Sequence, residues 1–354
     1  MSSYSKLKIK KIFPTDHKGN KKVDNLLKKE GIQRDKNIDY MCGVFDLNNN
    51  LVATGSCFKN TLRCVAISSA YQGESLMNTL VSHLINIEQN RGHIHLFVYT
   101  KLSTAFLFKK LGFFEIARVN NQLAFLENQP NGFQSYLNNL NKSSYKINKK
   151  SKIASIILNA NPFSLGHRYL VHKASQENDI VHLFLINDES SLIPFKDRKK
   201  LVLQGISDFN NVFFHETGSY IISSSTFPSY FLKDQETVIK DQAKLDIELF
   251  IKIAQKLKIS ERYVGEEPYS KVTKIYNRVM AKQLKFSGIS LKILPRLKIS
   301  GSVVSSSKIR LAIKNNNLEK IKIWVPKSTY NFFKTLEGKR IVKKIKNSSN
   351  IVHY

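Results

Sequence analysis

Apolar residues occur along this chain in two rhythms, short runs of strand length and stripes of helical spacing, with turn-forming residues between them. Tyr40–Phe45 and Leu51–Phe58 are strand-like runs joined by Asp46-Leu47-Asn48-Asn49-Asn50, whose Asn and Asp side chains favour a tight turn, so the pattern predicts a hairpin. Cys64–Ile67 predicts a third strand. Tyr71-Gln72-Gly73-Glu74-Ser75 then leads into a helical stripe through Leu76, Leu80, Val81, Leu84 and Ile85, and His95–Tyr99 supplies another strand. Ahead of these, residues 1–36 are polar and Lys-rich around one apolar stretch, Val23–Leu27, with Gly31 as a stop, which predicts one helix.

Between Asn128 and Ser151 the composition turns to Asn, Gln, Pro, Gly, Ser and Lys, and the domain boundary is placed there, giving domains at 1–140 and 148–354. Beyond it the rhythm changes. Ile153–Leu158 is a buried-type strand, Asn159–Phe163 a turn, and a helix follows to Gln176. Then come a strand at Ile180–Ile186, a helix opened by Pro194-Phe195-Lys196-Asp197-Arg198, and a strand at Val212–His215. A helix runs through Leu245–Leu257, and a short strand ends in Val264-Gly265-Glu266-Glu267. Alternating strands and helices imply a parallel sheet with right-handed crossovers, in which ligands bind at the C-terminal ends of the strands. Asn187-Asp188-Glu189 sits at such an end. Tyr220–Tyr230, polar and aromatic with Pro228 inside it, reads as a pocket-lining loop.

Length supports two domains, each large enough for its own core. The 56 Lys and Arg against 27 Asp and Glu give a net charge of +29. The cations are spread over the whole length and are mostly Lys, so the charge points to anionic ligands and partners in general, and nucleic acid is disfavoured. The one local concentration, Lys339-Arg340 with Lys343-Lys344 and Lys346, reads as a solvated helix face. No run of eighteen or so apolar residues is present and the N-terminus lacks the apolar centre of a signal peptide, which predicts a cytoplasmic protein with no membrane segment. Cys42, Cys57 and Cys64 show no paired metal spacing and read as reduced, buried side chains.

The chemistry concentrates in two segments. Ser164-Leu165-Gly166-His167 opens a helix directly after a strand. Unpaired N–H groups and the positive end of the dipole favour phosphate there, and Gly166 permits close approach. Gly301 to Arg310 ends in Ser305-Ser306-Ser307-Lys308-Ile309-Arg310, where N–H groups, hydroxyls and two cations can hold phosphate together. Arg198 is a candidate to reach a phosphate, and Gly265 with Glu266 and Glu267 stands where a strand end could hold the substrate or Mg²⁺.

The first segment resembles the signature of the nucleotidyltransferase superfamily, and the second resembles that superfamily's phosphate-closing motif. With Asn161-Pro162-Phe163 ahead of Ser164, Thr226–Lys233 and Val264–Pro268, they resemble the citrate lyase ligase family. Leu96–Lys101 and Gly112–Ile116 are similar to its N-terminal acetyltransferase-like domain, where the glycine turn carries Ala70, Gly73 and Ser75. The resemblance implies an α/β chain: a GNAT-like (acetyltransferase) α+β domain followed by a Rossmann-like parallel-sheet nucleotidyltransferase domain. It implies a ligase that uses ATP, Mg²⁺ and acetate to acetylate the thiol prosthetic group of the citrate lyase acyl carrier subunit through an acetyl-adenylate. His167, Ser164 and Lys308 would then be catalytic. Asn161, Phe163, Gly166, Arg198, Gly265, Glu266, Ser305, Ser306, Ser307 and Arg310 would bind ATP, with no residue assigned as a metal ligand. Two other readings stand beside it: an adenylyltransferase acting on a cofactor precursor, and a non-enzymatic docking protein for an acyl carrier.

Overall fold

The computed structural model describes residues 7–71, 74–119, 122–140, 151–221, 235–266 and 271–349. Its contacts divide the chain into two units, Met1–Tyr136 with Phe227–Glu248, and Leu137–Thr226 with Leu249–Tyr354.

In the first unit, β1 (Lys8–Lys11) precedes α1 (His17–Lys29), which Asp16 caps by accepting the Gly19 N–H at 2.9 Å. The helix stops before Gly31, whose φ of +67° places it in the left-handed region. β2 (Tyr40–Phe45), β3 (Leu51–Phe58) and β4 (Thr61–Ile67) form the expected meander. They are followed by α2 (Glu74–Asn90), β5 (Phe97–Lys101), α3 (Leu102–Lys110), β6 (Phe114–Val119), β7 (Leu123–Glu127) and α4 (Gly132–Leu140), of which Gly132–Tyr136 belongs to this unit. The strands form one sheet in the order β1-β2-β3-β4-β5-β7-β6. Its neighbours are antiparallel except β4 and β5, which run parallel and pair only at Thr61↔Phe97 and Leu62↔Val98. Leu76, Leu80, Val81 and Leu84 of α2 are buried in the core with Cys42, Cys57 and Leu62 of the sheet. This is the GNAT-like α+β arrangement that the sequence predicts. Part of the stretch read as linker is in fact α4, with Phe133, Leu137 and Leu140 buried. The three cysteines are free and buried, and burial pushes the Cys42 and Cys64 thiols up to about 12.

The second unit contains β8 (Ile153–Leu158), α5 (Leu165–Glu177), β9 (Ile180–Leu185), α6 (Phe195–Gly205) and β10 (Val212–Glu216). α7 (Gln235–Leu257), which belongs to this unit from Leu249 onward, β11 (Glu261–Gly265), α8 (Lys271–Phe286) and β12 (Ser290–Leu294) follow. A short ribbon of β13 (Lys298–Ile299) and β14 (Ser302–Val303) leads to α9 (Ser306–Lys314), α10 (Lys327–Lys334) and α11 (Leu336–Asn347). The five longer strands form a wholly parallel sheet in the order β10-β9-β8-β11-β12. β8 and β9 are buried along nearly all their length, which is why they read as unbroken apolar runs. The strand order reverses between β8 and β11, so the crevice outside their C-terminal ends is the topological switch point. Among the described residues no helix is long and apolar enough to cross a membrane.

Candidate active site at the switch point

The loop leaving β8 enters α5 through Ser164. Its side chain accepts the His167 backbone N–H at 3.3 Å, and the Ser164 N–H donates to His167 Nδ1 at 3.1 Å. This is a capping box in which an imidazole takes the place usually held by Glu or Gln. Because Nδ1 accepts a backbone N–H, the ring proton lies on Nε2. Burial, with the positive charge of Arg296, lowers the His167 pKa to about 4 and keeps the ring neutral. The imidazole stacks on the fully buried Phe163, with 5.7 Å between centroids and 18° between planes. Phe163 fits because Gly205 of α6 has no side chain: a Cβ there would lie 2.3 Å from its ring.

The two motifs of the sequence meet at this turn. Ser306 Oγ donates to the Pro162 carbonyl at 3.0 Å, and Arg310, 3 % exposed, donates to the Asn161 carbonyl. A Cβ on Gly166 would stand 3.3 Å from the Val304 carbonyl, so the glycine admits the backbone that leads into α9. Ser305 caps α9 by accepting the Lys308 N–H at 3.2 Å, and Ser307 lies 3.3 Å from Arg310 Nη2. Lys308 is exposed, and its Nζ reaches Ser302 Oγ at 3.0 Å. The α5 terminus keeps a donor for a ligand: the Leu165 N–H goes to the Trp324 carbonyl and the His167 N–H to Ser164, while the Gly166 N–H has no partner among the described residues. Asn161 Oδ1 accepts the Ile193 N–H at 3.2 Å, and its buried Nδ2 likewise has no partner among the described residues. Two unpaired donors at one turn suit an anionic, hydrogen-bonding ligand.

Arg198 is placed otherwise than the sequence predicts. It is fully buried, and its guanidinium donates to the carbonyls of Ile193, Asn159, Ile186 and Asp188 and to Asn159 Oδ1. It holds the loops after β8 and β9 together instead of reaching a phosphate, because the carbonyls at those strand ends face inward and need a donor. Gly265 ends β11 with open space around the position of a Cβ. Glu266 is exposed; its N–H donates to Leu294 and its carbonyl accepts Arg296 Nε at 2.6 Å. Glu267, Gly73 and residues 222–230 of the predicted pocket loop lie outside the described residues, while Tyr220 and Ile221 are buried.

The sequence reading missed Arg296. It stands just beyond β12 at the same edge of the sheet, joins the β11 terminus through Glu266, and lies close enough to His167 to lower its pKa. Its signal, one Arg after Pro295, becomes visible only once β12 is known to belong to the sheet. Among the described residues no group of three His, Cys, Asp or Glu is placed to hold a metal ion.

A family profile describing the citrate lyase ligase C-terminal domain matches residues 153–333. Citrate (pro-3S)-lyase ligase of Haemophilus influenzae is 33% identical over 324 residues, covering 90% of this chain and 96% of that protein. The Escherichia coli K12 protein of the same name is 35% identical over 313 residues, covering 86% of this chain and 88% of the relative. The Klebsiella pneumoniae protein is 33% identical over 319 residues, covering 89% and 92%.

Proposed function

The chain belongs to the citrate lyase ligase family, and from this membership and the switch-point geometry we propose that it activates citrate lyase by AMP-forming acetylation of the thiol on that enzyme's acyl carrier subunit. The observation that carries the reading is the near full-length similarity to three curated ligases. Residues 1–140 and 148–354 are taken as its two functional domains, the second holding the adenylation site.

Two displacements complete the reaction. An acetate oxygen attacks the α-phosphorus of ATP, forming acetyl-adenylate as pyrophosphate leaves. The carrier thiol then attacks the acetyl carbonyl, the thioester forms, the thiol proton is lost and AMP departs. Neither step needs a protein nucleophile, so catalysis rests on positioning and on charge stabilisation. His167 donates from Nε2 to the α-phosphoryl oxygens while Ser164 fixes its ring. The Gly166 N–H and Asn161 Nδ2 add donors at the same turn. Lys308, with Ser305, Ser306 and Ser307, holds the departing pyrophosphate, and Arg310 keeps α9 against the turn. Gly265 leaves room for the nucleotide next to Glu266, while Phe163, fully buried, supports the His167 ring instead of touching ATP as the sequence predicts. Mg²⁺, were it bound with ATP, would supply neutralisation of phosphate charge.

The test is acetate-dependent exchange of labelled pyrophosphate into ATP without any carrier. Exchange that requires acetate supports the adenylate half-reaction. ATP binding without exchange, both alone and with apo-carrier present, would sink the ligase reading.

A further inference from the structure

We propose that a cleft between α10 and α11 receives an acidic, amphipathic helix of the acyl carrier subunit; the identity of this partner rests on the ligase reading above. The cleft has a volume of about 570 Å³, and none of the residues lining it belongs to the nucleotide turn. Its floor is apolar, formed by Leu318, Phe333 and Val342, and along its rim stand Lys339, Lys343 and Lys346. These three lysines follow an i, i+4, i+7 spacing and so share one face of α11.

That arrangement costs the helix stability. α11 carries Lys339, Arg340, Lys343, Lys344 and Lys346 against Glu337 alone, and like charges four residues apart on a helix repel. Lys339, Lys343 and Lys346 are exposed and make no ion pair among the described residues. Lys334, which lines the same cleft, is engaged: it lies 3.7 Å from Glu319 and 4.3 Å over the Tyr330 ring. Elsewhere the excess positive charge is scattered over the sequence; here unpaired cations border an apolar concavity.

A helix with apolar residues on one face and Asp or Glu along its margins matches both features. The apolar side chains cover the floor and the carboxylates meet the lysines, speeding encounter. A small free anion would meet the rim and leave the floor exposed. The carrier's thiol sits on a long, coenzyme-A-like arm, so its protein body can dock at one place while the thiol reacts at another.

The test is a fluorescence-anisotropy titration of labelled apo-carrier subunit with the full chain. The variants are K339E/K343E/K346E, the neutral K339Q/K343Q/K346Q, and K28E/K29E as a control on exposed lysines of α1. The Glu triple is expected to weaken binding at least tenfold and the Gln triple less, with the control unchanged. Pyrophosphate exchange should be equal in all four proteins, which also verifies folding. Equal carrier affinity across the series, no carrier binding by the unsubstituted chain, or an equal loss in the control overturns the proposal. A dimer that the Glu triple dissociates while carrier binding stays constant assigns the cleft to a second copy, and also overturns it. Absence of exchange in every protein speaks against the ligase reading alone, because the binding series still decides the docking surface.

Discussion

His167 Nδ1 accepts the Ser164 backbone N–H at 3.1 Å, so the imidazole is held in its Nε2–H tautomer by the helix terminus it caps. The cap makes the ring a structural element, and the proposed adenylation gives it a chemical role as well. His167→Ala should lower turnover roughly a hundredfold or more, the scale of losing one preorganised donor. It should cost only about 1 kcal/mol of stability, the scale of a lost cap partner. Steady-state kinetics with a urea melt check both. Unchanged turnover would remove His167 from the chemistry.

Arg198 supplies the sharpest distinction between holding a loop and holding a phosphate. Its guanidinium is fully buried on four carbonyls and Asn159 Oδ1. Lysine cannot reproduce that fork with three donors on one nitrogen. Arg198→Lys should therefore destabilise the protein by about 2–4 kcal/mol, since hydrogen bonds from charged groups contribute roughly 1.5–3 kcal/mol each. A phosphate ligand would behave differently, raising the KM for ATP at constant stability, and that result would restore the expectation drawn from sequence.

Gly205 and Phe163 form a second coupled pair. A Cβ at Gly205 would lie 2.3 Å from a ring that is itself fully buried beneath the His167 imidazole. Gly205→Ala should cost about 1–3 kcal/mol through overpacking, although alanine is the better helix former. By displacing the ring under His167 it should also reduce kcat more than it raises the KM for ATP. Equal stability with full activity would show that Phe163 moves freely.

How much of this was legible follows from how local each feature is. β8, the capped turn and the Ser305–Arg310 cluster are contiguous segments whose residue types carry their own geometry, and they could be read directly. That Ser306 bonds to Pro162 and Arg310 to Asn161 is a tertiary fact, suggested only by both motifs having phosphate-binding character. Arg198 reads as a cation near a strand end, and its carbonyl partners become visible only when two loops converge. α4 was hidden by Pro130 and Gly132, although Phe133, Leu137 and Leu140 carry a helical stripe. β7 (Leu123–Glu127) is too short for its apolar run to separate strand from helix. β12 (Ser290–Leu294) is only partly buried, so the periodic signal was weak, and missing it concealed Arg296.

Arg296 is where that omission touches chemistry. It donates to the Glu266 carbonyl at 2.6 Å and helps hold the His167 pKa down to about 4. Arg296→Ala should cut kcat/KM for ATP by about ten- to a hundredfold while leaving stability within about 1 kcal/mol, because the side chain is half-buried at the sheet edge. It should also move the acid limb of the rate profile upward, since His167 then keeps less of its depression. A limb that stays in place would mean that burial alone sets the pKa.

A pair of histidines in the parallel sheet should make this unit sensitive to acid. His182 on β9 and His215 on β10 lie side by side, Nδ1 to Nε2 at 2.8 Å, with His182 fully buried. Burial, and for His182 also the neighbouring ring, lowers their pKa values to about 3 and about 4. Both lie below the ordinary 6.5, so between pH 6.5 and about 4 the unfolded chain binds protons that the folded chain refuses, and stability rises with pH across that window. The contribution is fully present above pH 6.5 and is lost as the pH falls, amounting at pH 5 to about 2 kcal/mol per histidine. The single tryptophan, Trp324, is buried in the same unit and reports its unfolding. Urea melts followed by its fluorescence should show the loss between pH 7.5 and 5. Replacing both rings together, as H182L/H215L, removes both partners of their shared hydrogen bond at once. The double variant should flatten the pH dependence by about 4 kcal/mol, whereas a slope identical to that of the unsubstituted protein would place the acid sensitivity elsewhere.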